Sequence, residues 1–180
     1  MPKLSNKTHQ QRLQAMRQLL QQQRADAIVF TSADFIQYAT NFAVDVLPWE
    51  RPIFAIGSAG GATHVVFNEL STNHVRFAID KGDLWLTQEQ ISFYAEHPRI
   101  RNRLPLPHQL PELIASVLQQ LGLAGKLLLS DGAPAALPQA VALLPGTRLQ
   151  PSVAVLRSLR WVKNEEELQI MRALAQLTDW

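Results

Sequence analysis

Apolar residues recur along this chain at two periods, and the switches between them outline a fold. Leu13, Met16, Leu19 and Leu20 fall at helical spacing, with Gln and Arg residues between them. That pattern predicts an amphipathic helix. Thr8, followed by Gln11 three positions later, predicts a capping box at its start, and the helix is expected to stop near Arg24. Ala27, Ile28, Val29 and Phe30 form a short unbroken apolar run, as expected of a buried strand. Thr31 and Ser32 can cap the next turn. Residues 34–40 read as a short helix, closed by Asn41, whose residue type tolerates the left-handed conformation. Residues 53–56 and 63–67 are strands flanking Gly57-Ser58-Ala59-Gly60-Gly61, a flexible hairpin turn.

The second half is patterned in the same way. A further strand is expected within residues 75–79 or 84–87, whereas residues 88–107 mix aromatics, charge and proline and predict no definite element. Residues 111–121 form a clear amphipathic helix, with Leu113, Ile114, Val117, Leu118 and Leu121 on one face and Gly122 as its stop. Residues 126–130 are another short apolar strand. Residues 135–144 are an alanine-rich helix ended by Pro145-Gly146, and residues 148–155 are an extended edge strand leaving the domain. Asn164 then caps a last helix. Glu165, Glu166 and Glu167 suit its positive end, and Leu168, Met171, Leu174 and Ala175 form its apolar face. The order predicts a mixed α/β domain with a central sheet covered on both faces. The hairpin makes at least one strand antiparallel.

Composition narrows the class without naming a function. At 180 residues and 47% hydrophobic, the chain suits one α/β domain, or one with a piece of a second. No run approaches the ~20 apolar residues of a membrane span, and the polar, Gln-rich N-terminus lacks a signal-peptide core. The absence of cysteine excludes disulfides, thiolate metal sites and cysteine nucleophiles, so a cytoplasmic protein is expected. Net charge is only +2. Basic residues cluster at Arg99, Arg101 and Arg103 and again at Arg157, Arg160 and Lys163, but a nucleic-acid surface calls for a larger one-sided excess. Neither a nucleic-acid nor a membrane partner is expected.

Candidate chemistry is sparse. No two of His9, His64, His74, His97 and His108 have metal-ligand spacing. Asp26 and Asp131 lie at strand ends, where turn and capping roles are commonplace. Ser58 is not in a G-x-S-x-G elbow, and its glycines lack a phosphate-loop pattern. The loop of residues 42–51 is richer: Asp45, Trp49, Glu50 and Arg51 can form a stacking wall and a carboxylate clamp. The alternative is that Trp49 packs on the sheet while Arg51 pairs with Glu50. By this reading the chain is an α/β domain without a self-contained active site.

Four stretches resemble one family in the right order. They are residues 13–42 (LQAMRQLLQQQRADAIVFTSADFIQYATNF), 113–132 (LIASVLQQLGLAGKLLLSDG), 137–156, and 159–179 (LRWVKNEEELQIMRALAQLTD). Together they look like the N-terminal domain of the creatinase/prolidase/aminopeptidase P family of Xaa-Pro peptidases. The family shows a helix, a DA-aliphatic-TS strand, a Y-x-T-G-F-like turn and an R-x-x-K-[ST]-x-x-E junction. That junction reads Arg160, Lys163, Asn164 and Glu167 here. Arg24 and Asn41 stand where the family usually has Gly, which implies strain at Arg24 unless the turn is rebuilt.

The resemblance implies a three-layer α/β fold: a mixed five- or six-stranded sheet, helices on both faces, and a ribonuclease H-like motif. Residues 1–156 would be the N-terminal domain. Residues 157–180 would be a linker and the first helix of a truncated pita-bread catalytic domain. Two divalent metal ions (Mn, Co or Zn) are expected in that further domain, with no catalytic or metal residue carried over to this chain. The implied role is noncatalytic: homo-oligomerisation and control of substrate access. The implied partners are the catalytic domain and, for the parent enzyme, a proline-containing peptide or a small C–N-bonded compound. In some members the loop equivalent to residues 43–51 reaches the partner subunit's substrate pocket. That makes Trp49 and Arg51 candidate substrate-binding residues across a dimer. A stand-alone ligand- or nucleic-acid-binding module is the competing reading. The last helix is expected to fray or to dock on a neighbouring copy.

Overall fold

The computed structural model describes residues 4–44, 51–95 and 109–178. The chain runs α1 (Asn6–Gln23), β1 (Ala27–Phe30), α2 (Ala33–Thr40), β2 (Phe54–Ser58), β3 (Thr63–Asn68), α3 (Thr72–Asp80), β4 (Ile91–Tyr94), α4 (Leu110–Gln120), β5 (Leu127–Ser130), α5 (Ala136–Ala142), β6 (Arg148–Pro151), α6 (Val153–Arg157) and α7 (Glu165–Thr178). The six strands form one sheet in the order β4-β3-β2-β1-β5-β6. β2 is antiparallel to both its neighbours, and every other adjacent pair is parallel.

β1 lies in the middle, and all four of its residues are buried. Alternation along it therefore supplies two cores. Ile28 and Phe30 join Met16, Leu19 and Leu20 of α1, Phe35 and Ile36 of α2, and Leu156 of α6. Ala27 and Val29 join Ile114 and Leu118 of α4 with Leu137 and Ala140 of α5. The result is the three-layer arrangement that the pattern of the chain implies.

Five details differ from the sequence-based expectations. α1 begins one turn early: Ser5 is its N-cap and accepts from the Lys7 amide, while Thr8 is buried inside the helix. Residues 75–79 are not a strand but part of α3, because Val75, Ala78 and Ile79 repeat at helical spacing and pack on the core. Residues 84–87 are irregular, with Leu84 and Leu86 buried against the same core. The sixth strand is β4, in the stretch whose pattern predicts no definite element. It is set by a preceding 3-10 turn whose Gln90 side chain donates to the Thr63 carbonyl. Finally, the extended run ends at Pro151, and α6 follows, anchored by the fully buried Leu156.

The helix ends adopt the conformations that the family's glycines imply. Arg24 has φ 52° and Asn41 φ 60°. The Arg24 turn is not rebuilt: its N–H donates to the Gln21 and Leu20 carbonyls, so the helix closes as it would on a glycine. The left-handed geometry is strained for arginine.

Candidate functional site

The C-terminal edge of the sheet is organised around Asp131. Its carboxylate accepts from the Thr31 amide at 2.7 Å and the Ser32 amide at 2.9 Å, and also from both hydroxyls. These bonds tie the end of β1 to the end of β5. Asp26 plays a matching part at the other edge, accepting from the Leu127 amide and facing Lys126 at 3.6 Å. Both acids hold the sheet together. The hairpin turn is equally local, since the Ser58 hydroxyl accepts from the Ala62 amide. His64 exchanges a hydrogen bond with Ser92 across β3 and β4, and burial lowers its pKa.

The loop singled out by sequence follows α2. Phe42 is buried edge-on against Phe67 at 5.1 Å, and the Asn41 side-chain amide donates to the Asp83 carbonyl. Because β2 runs antiparallel to β1, the residues just before it, Arg51 and Pro52, stand at the edge that carries Thr31 and Ser32. There Arg51 is half-buried, and the next residue, Pro52, accepts from the Tyr94 hydroxyl at 3.0 Å. Trp49, with Asp45 and Glu50, lies outside the described residues. Among the described residues no three His, Asp or Glu side chains are grouped to hold a metal ion.

The densest polar constellation lies elsewhere, where α7 meets α1. Arg12 is almost enclosed. One of its terminal nitrogens donates to the Tyr38 carbonyl at 2.8 Å and the other meets the Glu167 carboxylate at 2.6 Å. Its guanidinium lies 4.6 Å from the centre of the Tyr38 ring and 5.3 Å from that of Trp85. Trp85 in turn stacks on His9 at 4.6 Å. Burial, then the Arg12 charge, lowers the His9 pKa. Burial pushes the Tyr38 phenol up to about 12, with Arg12 opposing and Glu167 reinforcing the rise.

The junction motif supplies the rest. The Asn164 side chain accepts from the Glu167 amide at 2.9 Å, and the Glu167 carboxylate accepts from the Asn164 backbone amide, which completes a capping box. The Asn164 side-chain amide also donates to Thr8 and Gln11. Glu166 accepts from the Ser5 amide, the Ser5 hydroxyl and the Thr8 hydroxyl. Arg160 pairs with Asp34 at 2.8 Å and lies over the Phe35 ring, while Lys163 donates to the Arg160 carbonyl. Three signature positions of the junction, Arg160, Asn164 and Glu167, therefore fasten the start of α7 to the domain, while the Lys163 bond stays within the junction. Beside it opens a cleft of about 950 Å³, lined among others by Tyr38, Phe42, Phe77, Lys163 and Met171.

Sequence reasoning places Glu167 in the junction motif but does not single out Arg12 or the pairing of the two, although a signal existed. Arg12 lies four residues after Thr8 and four before Met16, on the buried stripe of α1. Glu167 falls three residues before Ile170 and seven before Leu174 on α7. A cation and an anion thus each interrupt an apolar stripe, and opposite charges in such positions pair when the helices meet.

With the fold and this junction in view, comparison with known proteins settles the class. The family model described as the Creatinase/Prolidase N-terminal domain matches residues 12–162. The chain belongs to that family. Among solved structures, it is similar to the dipeptidase PepE from Mycobacterium ulcerans, at 21% identity and a TM-score of 0.62, covering 93% of this chain and 40% of that one. It is also similar to the creatinase/prolidase N-terminal domain of an X-Pro dipeptidase from Streptococcus pyogenes (17% identity, TM-score 0.56, 83% of this chain and 98% of that one). A third is an aminopeptidase P from Streptococcus thermophilus (18% identity, TM-score 0.52, 84% of this chain and 98% of that one). At these identities the structures establish the shared fold. The chain spans about 40% of the length of the Mycobacterium dipeptidase. No curated protein matches it in sequence.

Proposed function

We propose that this chain is the noncatalytic N-terminal domain of a metal-dependent Xaa-Pro-type peptidase, serving oligomerisation and control of substrate access. The observation that carries the reading is the family match through residue 162 combined with the junction. The motif ends in a helix clamped at its first turn, with Met171, Leu174 and Leu177 exposed beyond it, a face suited to a further domain. The catalytic residues and two divalent metal ions belong, in this reading, to that further domain. It corresponds to the part of the Mycobacterium dipeptidase that this chain does not span.

Trp49 and Arg51 lie on the loop that would reach a second subunit. A guanidinium there can hold a substrate carboxylate while an indole covers a proline ring. The cytoplasm is the expected compartment, because a chain without cysteine has no need of an oxidising one. The test is hydrolysis of Xaa-Pro dipeptides by the full-length chain with Mn, Co or Zn. Activity is expected, and Trp49→Ala and Arg51→Ala should each raise KM by about tenfold. No hydrolysis with any of the three metals overturns the peptidase reading. Activity with unchanged kinetics in both variants overturns the role of the loop.

A further inference from the structure

α7 is joined to the domain at one end. None of its residues is buried. Helices are ordinarily held by an apolar stripe, but here the holding contacts are the polar ones of the first turn. Arg12 is central to them. It touches α2, Trp85 and α7 at once from its place on α1, and its planar fork lies over the Tyr38 and Trp85 rings. Such a group fixes direction better than a flexible ammonium does.

We infer that Arg12 and Glu167 form a latch that sets the angle at which α7, and any chain beyond it, leaves the sheet. Opening the latch loosens α7 to pivot on its remaining bonds from Glu166 and Asn164, while both cores stay intact, because no core residue lies on α7. The consequence for peptide access rests on the proposed function; the latch does not.

The chain contains no cysteine, so two introduced cysteines can carry spin labels without competition. Gln119 on α4 and Gln176 on α7 are both exposed and lie outside the latch. A narrow distance distribution is expected in the otherwise unaltered chain. Arg12→Met and Glu167→Gln should each broaden it about twofold or more, and Arg12→Lys should recover part of the narrowness. Glu167→Gln keeps an oxygen for the cap, so it separates loss of charge from loss of the helix start. An unchanged distribution in both variants overturns the latch. Broadening accompanied by loss of the cooperative unfolding transition overturns its independence from the core.

In the full-length chain, Arg12→Met should raise KM for Xaa-Pro peptides severalfold while kcat stays within about twofold, with partial rescue by Arg12→Lys. A fall in kcat at constant KM overturns the positioning role. If the unaltered full-length chain lacks peptidase activity, the proposed function fails, and the distance measurement still decides the latch.

Discussion

The two faces of the sheet are closed by different physics. On one, α4 and α5 bring Ile114, Leu118, Leu137 and Ala140 onto Ala27, Val29 and Leu128, all fully buried. On the other, α1 and α2 form an equally apolar inner layer. Outside it stands a second, polar layer built from Ser5, Thr8, Arg12, Asn164, Glu166 and Glu167. The first face needs only volume and apolarity, so it has one purpose, stability. The second depends on direction and charge, and it carries the exit of the chain and the cleft beside it. A contact that can be opened without emptying a core is suited to a junction; a packed apolar layer is not.

The sharpest way to break this contrast is to attack the apolar face. Leu118→Ala should cost roughly 2–5 kcal/mol of unfolding free energy, since a fully buried leucine leaves a cavity that its neighbours cannot fill. Denaturant titration measures it. A loss below about 1 kcal/mol would mean that this face is more plastic than its packing implies.

A smaller effect, of opposite sign, is expected where α1 ends. Arg24→Gly should stabilise the domain by about 0.5–1 kcal/mol, because glycine adopts φ 52° without steric cost. A lower unfolding midpoint in that variant would show that the Arg24 side chain contributes more than its backbone costs.

The smallest effect concerns acid. Hydrogen bonds from the Ser5 hydroxyl and amide, then from Thr8, hold the Glu166 carboxyl below its ordinary value of 4.5, with Lys7 adding a favourable charge and slight desolvation opposing. A carboxylate depressed in the docked state supports docking above pH 4.5 and loses that support as pH falls through its lowered value. The α7 distance distribution should therefore broaden below pH 4.5 in the unaltered chain. Glu166→Gln should weaken that pH dependence. A distribution insensitive to pH would show that the Glu166 charge does not contribute to the hold on α7.

Much of the fold was legible locally. The helical stripe of α1, the apolar run of β1, the glycine-rich hairpin and the asparagine cap of α7 are all short-range signals, and each marks a real element. So were the left-handed closures at Arg24 and Asn41, which the family pattern of glycines points to. Misreadings arose where local pattern competes with distant partners. Val75, Phe77 and Ile79 alternate like a strand, yet the helical spacing of Val75, Ala78 and Ile79 wins once Val75 can bury. Residues 91–94 become a strand only because β3 is there to pair with them in parallel, a contact whose partner lies far away in sequence. The candidate site followed the same division. Asn164 and Glu167 could be read as parts of a motif, and Trp49 and Arg51 as loop chemistry, but Arg12 looked like one more polar residue of a Gln-rich helix.

The sequence by itself determined the elements whose stabilising groups are neighbours in the chain: caps, turns and stripes, where a few residues supply both partners of each interaction. It also determined the family, through the order and spacing of those elements. Only the tertiary structure decided strand order, the identity of the sixth strand and the meaning of Arg12. The reason is that a charge on a helix has no fixed worth until its environment is known. Exposed, Arg12 would contribute little. Enclosed by Tyr38, Trp85 and Glu167, from parts of the chain up to 155 residues apart, it becomes the joint between the sheet and its last helix.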